Sequence, residues 1–152
     1  MDELDRQILD ILQNAFPLCE RPYDKLADQL GISGAELWER VEGLIGSKVI
    51  RRMGASLDSR RLGYSSTLAS VKVDSGDVEA ASELIGGYPE VTHSYLRKGD
   101  FNIWFTLIAV DEGRIESILD EIRVSLGLEH SEVLNLPVNR LFKLNARFNV
   151  SK

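Results

Sequence analysis

Residues 91–97, VTHSYLR, set a histidine, a tyrosine and an arginine at every second position. If the segment is a β-strand, Val91, His93, Tyr95 and Arg97 share one face and Thr92, Ser94 and Leu96 the other. Imidazole, phenol and guanidinium then stand in line at intervals of roughly 7 Å. Imidazole moves protons or ligates a metal, and guanidinium matches a carboxylate in bidentate geometry. A solitary histidine on a sheet is more often structural. The phenol and cation beside it, and the aromatic-rich partner segment FNIWFTLIAV (residues 101–110), weigh toward a site.

The elements that must position these residues are legible from periodicity. In residues 2–14 the apolar Leu4, Ile8, Leu9, Ile11 and Leu12 fall on one helical face. YDKLADQLG offers Leu26, Ala27 and Leu30 for a short second helix closed by Gly31. Ser33 is placed to cap a third helix that buries Leu37, Val41, Leu44 and Ile45. With the β-rich KVIRRMGASL that follows, the pattern predicts a winged helix-turn-helix over residues 1–64.

From Ser65 the texture changes. STLASVKV, EVTHSYLR, FNIWFTLIAV and SEVLNLPV read as strands, and GDVEAASELIGGY and EGRIESILDEIRVSLG as helices. The order β-α-β-β-α-β predicts a ferredoxin-like domain over residues 65–152, ending in an extended tail, NRLFKLNARFNV. The fold class is therefore α+β in two lobes.

Composition excludes several functions. The net charge of −6 gives no general attraction to polyanions. A single cysteine, Cys19, leaves no intrachain disulfide and no thiolate set for zinc or an iron–sulfur cluster, so a reduced, cytoplasmic setting is expected. No apolar run nears the roughly 20 residues that span a bilayer. The third helix carries Glu36, Glu39 and Glu42 against Arg40 alone, where a DNA reader presents donors to phosphates and base edges. Residues 1–64 hold nine Lys plus Arg against eleven Asp plus Glu, so DNA binding is not expected. The basic residues gather instead at the expected wing, as Lys48, Arg51, Arg52, Arg60 and Arg61.

An N-terminal helix-turn-helix followed by a βαββαβ lobe resembles the Lrp/AsnC regulators along nearly the whole chain. VIRRMGASLDSRRLGY, VTHSYLRKGDFNIWFTLIA and LPVNRLFKLNARF resemble, more narrowly, the signatures of siroheme decarboxylase subunits, a branch related to those regulators. The resemblance implies an enzyme that takes siroheme to didecarboxysiroheme by removing carbon dioxide from two acetate side chains, in the alternative heme route or in heme d1 synthesis. It implies a pair of related subunits, as a heterodimer or a homodimer. An Lrp/AsnC-type transcription regulator and a non-catalytic tetrapyrrole-binding subunit are the rival readings.

The residues suit that chemistry. Siroheme carries eight carboxylates around an apolar ring, so its pocket combines apolar walls with fixed cations. Phe101, Ile103, Trp104, Phe105, Leu136, Phe142 and Phe148 are candidate walls, of which alternation turns some to the core, and Arg51, Arg52, Arg140, Lys143 and Arg147 are candidate carboxylate partners beside Arg97. Decarboxylation needs an ionised, poorly solvated acetate, an acceptor for the electrons left behind and a proton for the new carbon. The macrocycle accepts the electrons, so no added cofactor is expected, and the iron belongs to the substrate. His93 is the candidate proton donor, Arg97 the anchor of a neighbouring carboxylate, and Tyr95 the group that orients His93 or bonds the substrate. Axial ligation of the substrate iron by His93 is the alternative use of that imidazole.

Overall fold

Asp2 opens the first helix. Its carboxylate accepts from the Asp5 amide while Asp5 accepts from the Asp2 amide, a reciprocal cap that satisfies two otherwise orphaned donors. The computed structural model describes residues 1–143 and 147–150 of the 152. It divides them into two compact units, each with its own core.

The first unit holds α1 (Glu3–Asn14), α2 (Pro22–Leu30) and α3 (Gly34–Gly46). Gly31 adopts a left-handed conformation at φ 67, and Ile32 N–H reaches back to the Ala27 carbonyl at 3.1 Å, ending α2 and turning the chain. Ser33 accepts from the Glu36 amide and starts α3. Ile8, Leu26, Ala27, Leu37, Val41 and Leu44 form the core. Ile45, expected among them, lies 44% exposed beside the buried face.

The expected strands of the wing do not form among the described residues 48–57, which run as turn, bend and coil. Lys48 at φ 60 and Gly54 at φ 156 both break extended backbone, and a strand without a ladder partner leaves its amides unpaired. The helix-turn-helix is present without them.

The second unit runs from Ser56 to Phe142, and the described residues beyond Phe142 group with the first unit. That division sets the boundary at 55/56 where the sequence reading has 64/65, and it joins the described tail residues to the first unit through α1. Gln13 of α1 donates to the Phe148 carbonyl at 2.8 Å and accepts from the Phe148 amide at 2.7 Å.

Within the second unit, β1 (Ser65–Val71), α4 (Val78–Gly86), β2 (Val91–Leu96), β3 (Ile103–Ala109), α5 (Glu112–Ser125) and β4 (Val133–Pro137) build an antiparallel sheet of order β2-β3-β1-β4. The β3 side chains alternate strictly between buried and half-buried. Ile103, Phe105, Leu107 and Ala109 pack with Ala81 and Ile85 of α4 and with Ile115, Ile118, Leu119 and Ile122 of α5. Both helices thus cover one face, as the βαββαβ order requires. No described helix is long and apolar enough to cross a membrane.

Candidate functional site

Pairing register assigns each side chain of β2 to a face. Val91 pairs with the core residue Leu107, whereas His93 pairs with Thr106 and Tyr95 with Trp104. Between Val91 and His93 the strand advances two residues against one on β3, so Thr92 is the extra residue of a β-bulge. Val91 therefore packs against the core, while His93 and Tyr95 point to the sheet face that the unit's own helices leave open. The expectation that Val91 shares the His93 face is corrected by that bulge, which breaks simple alternation.

On the open face the imidazole and phenol lie nearly parallel, 16° apart with ring centroids separated by 6.3 Å. Arg97, one residue past the strand, sets its guanidinium carbon 5.9 Å from the Tyr95 centroid, and its amide donates to the Asn102 carbonyl at 2.7 Å. Arg97 forms no ion pair with any described residue, so its charge is available to a ligand. Trp104 is half-buried beside Tyr95, its indole N–H donating to the Phe101 carbonyl at 2.8 Å. That bond fixes the indole plane. Ile103 and Phe105 face the core instead.

The same register carries the face across the sheet. Tyr95, Trp104, Ser70 and Leu134 form one row, and His93, Thr106, Leu68 and Leu136 the next. Leu68 and Leu136 are 42% and 44% exposed, so an apolar strip lies beside the polar ladder. A flat apolar ligand with anionic arms suits this surface.

The remaining candidates lie elsewhere. Arg140 stacks on Phe142, 4.8 Å from its centroid, after β4. Because β4 lies at the edge opposite β2 and ends beside Thr67, whereas β2 ends beside Ile103, the strand ends that Arg97 and Arg140 follow lie at diagonally opposite corners of the sheet. Three strand spacings, about 14 Å, separate the two edges. Arg51, Arg52, Lys143 and Arg147 are exposed and belong to the first unit. The structure thus brings together His93, Tyr95, Arg97 and Trp104.

Two features escaped the sequence reading. Thr92 Oγ1 lies 3.1 Å from His93 Nδ1, a contact that depends on the bulge. A cleft of about 370 Å³ also opens at the other end of the sheet, lined by Arg60, Tyr64, Asn135 and Glu116 among others. In the first unit, Arg40 bonds Asp2 at 2.7 Å, Asp5 at 2.8 Å and Glu36 at 3.4 Å. The guanidinium holds the Asp2 carboxyl below its ordinary value, and those carboxylates raise Arg40 in turn.

Comparison with known proteins fits these features. Residues 5–51 match the siroheme decarboxylase NirDL-like HTH domain, and residues 61–143 match the AsnC-like ligand binding domain. The class is thus an AsnC-like α+β protein, and an AsnC family transcriptional regulator from Agrobacterium tumefaciens shares its fold at 24% identity and TM-score 0.76. The siroheme decarboxylase alpha subunit of Desulfovibrio desulfuricans is 44% identical over 150 residues, covering 99% of this chain and 85% of that protein. The siroheme decarboxylase NirD subunit of Pseudomonas aeruginosa is 35% identical, covering 97% and 96%. The crystal structure of siroheme decarboxylase NirDL in co-complex with an iron-uroporphyrin III analogue aligns at 33% identity and TM-score 0.74, over 94% of this chain and 46% of that one. This chain belongs to the siroheme decarboxylase family.

Proposed function

We propose that this chain is a siroheme decarboxylase subunit that removes carbon dioxide from two acetate side chains of siroheme, yielding didecarboxysiroheme without an added cofactor. The observation that carries this reading is the ladder of His93, Tyr95 and Arg97 beside Trp104 on an open sheet face. Trp104 and the apolar strip receive the ring, and Arg97 pairs with a carboxylate neighbouring the one that reacts. Enclosure of the reacting acetate strips its water and raises the free energy of the ionised group relative to the dispersed charge that follows. The bond between the methylene carbon and the carboxyl carbon breaks, its electron pair enters the macrocycle, and carbon dioxide leaves. His93 then delivers the proton that completes the methyl group.

Arg97 and Arg140, which follow strand ends at opposite corners of the sheet, favour a ligand or neighbouring chain that extends over the sheet face. The NirDL relative supports a paired arrangement, because the matched segment occupies less than half of that chain. We assign this chain a related second subunit, with a homodimer as the simpler arrangement. Arg51, Arg52, Lys143 and Arg147 are proposed as further carboxylate partners. Siroheme is the partner molecule, and a reduced cytoplasmic setting accords with the exposed thiol of Cys19.

The test is an anaerobic titration of the purified chain with siroheme, followed by absorbance and by mass analysis of the extracted pigment. Successive loss of one and two carbon dioxide masses, with nothing else added, is the expected result. Binding without mass loss, repeated with the related subunit present, would point to a tetrapyrrole-binding protein instead. Absence of binding under both conditions would remove siroheme as the ligand.

A further inference from the structure

The contact between Thr92 and His93 admits two directions. Thr92 Oγ1 lies 3.4 Å from the Thr106 carbonyl, which only accepts, so a hydroxyl that donates there keeps only lone pairs for its other contact. The same oxygen lies 3.1 Å from His93 Nδ1, where donor and acceptor follow the ring tautomer. An imidazole nitrogen that meets an acceptor must carry the hydrogen. The bulge makes this possible by inserting Thr92 as an unpaired residue immediately before His93 on the strand.

We propose that Thr92 is a positioning residue that keeps the proton on His93 Nδ1 and reserves Nε2 for the ligand. The proposal rests on the reading of His93 as the group that acts on siroheme, and it says which ring nitrogen acts. When the imidazolium gives up its Nε2 proton, the neutral ring is left with Nδ1–H, the tautomer that Thr92 accepts from. Proton delivery and the hydrogen bond therefore reinforce each other. Were Nε2 to bind the substrate iron instead, the same bond would hold the other ring nitrogen, the usual arrangement for a ligating histidine.

The experiment compares the full chain with Thr92→Val, which keeps the β-branched shape, and Thr92→Ser, which keeps the hydroxyl. Nitrogen-15 spectra of histidine-labelled protein are recorded at alkaline pH, where imidazole is neutral, and His93 is assigned by its loss in His93→Gln. The chain has two histidines, so the assignment is direct. The expected result is Nδ1–H in the wild type, redistribution toward Nε2–H in Thr92→Val and recovery in Thr92→Ser. Thr92→Ala, read in the same way, provides a second removal of the hydroxyl should valine disturb folding. A wild type already protonated at Nε2, or a tautomer unmoved by loss of the hydroxyl, overturns the proposal. In turnover, Thr92→Val is expected to lower kcat by roughly 10–100-fold with KM little changed, by analogy with the groups that orient metal-bound histidines. If His93→Gln turns over normally while the tautomer still follows Thr92, it is the role of His93 in the reaction that fails, and the control by Thr92 stands.

Discussion

The imidazole of His93 and the phenol of Tyr95 lie 16° from parallel on the open face of the sheet, with centroids 6.3 Å apart. Tyr95 in turn sits between that imidazole and the Arg97 guanidinium, 5.9 Å from its centroid. The phenol thus stands between an imidazole and a cation on the same face. One group can reach a reacting carbon while the other holds a neighbouring carboxylate.

His93→Ala removes the proposed acid and leaves Arg97 and Trp104 in place. Siroheme affinity is expected to stay within a few-fold of wild type, while the rate of carbon dioxide release falls by ~10²–10⁴-fold, the usual contribution of a positioned general acid. Single-turnover pigment mass analysis separates the two quantities. A rate within a few-fold of wild type would remove His93 from the proton-transfer step.

Arg97→Gln has the opposite signature. A hydrogen bond to a charged group is worth about 1.5–3 kcal/mol, so siroheme binding should weaken by roughly 10–150-fold. Arg97→Lys restores the charge without the bidentate fork and is expected to recover only part of the loss. Absorbance titration of the three proteins measures this directly, and equal affinities would place the carboxylate anchor elsewhere.

Local chemistry made most of the fold legible. Asp2, Gly31 and Ser33 mark helix boundaries through hydrogen bonds or backbone conformations that only a few residue types supply, and the alternation along residues 103–109 records which side is buried. The bulge at Thr92 was not legible, because it depends on which β3 residue each β2 residue meets. For the same reason the diagonal separation of the strand ends that Arg97 and Arg140 follow required the sheet register. The return of Phe148 to Gln13 joins residues 135 apart, and nothing local announces it. Ile45 satisfies the helical period yet falls at the edge of the buried stripe, where periodicity alone does not decide exposure.

The third helix predicts weak interaction with DNA. Its one basic residue, Arg40, is held by Asp2, Asp5 and Glu36, while Glu39 and Glu42 remain to repel phosphates. Fluorescence anisotropy with labelled duplex DNA at near-physiological salt should show binding weaker than the ~10⁻⁴–10⁻⁶ M of ordinary non-specific DNA-binding proteins. Saturable binding in the micromolar range, falling steeply with added salt, would return the helix-turn-helix to a DNA-reading role.

Glu90 gives stability in the second unit a pH dependence whose sign follows from its surroundings. Its own backbone amide and the Arg114 guanidinium, 3.0 Å away, hold its carboxyl below the ordinary value of 4.5. The unfolded chain therefore binds a proton at Glu90 more readily than the folded one, so acid favours unfolding. The contribution is complete above the ordinary carboxylate range and is lost as pH falls through the lowered folded value. Urea midpoints at pH 7, 5, 4 and 3 should accordingly drop most steeply below about pH 4.5. Asp2, lowered by Arg40, adds a component of the same sign in the first unit. Arg114→Gln should make the decline shallower without abolishing it, because the backbone amide still favours the ionised carboxylate. Glu90→Gln removes the Glu90 component altogether and leaves that of Asp2. If the midpoints of Glu90→Gln and wild type fell in parallel across this range, Glu90 would contribute nothing to acid sensitivity.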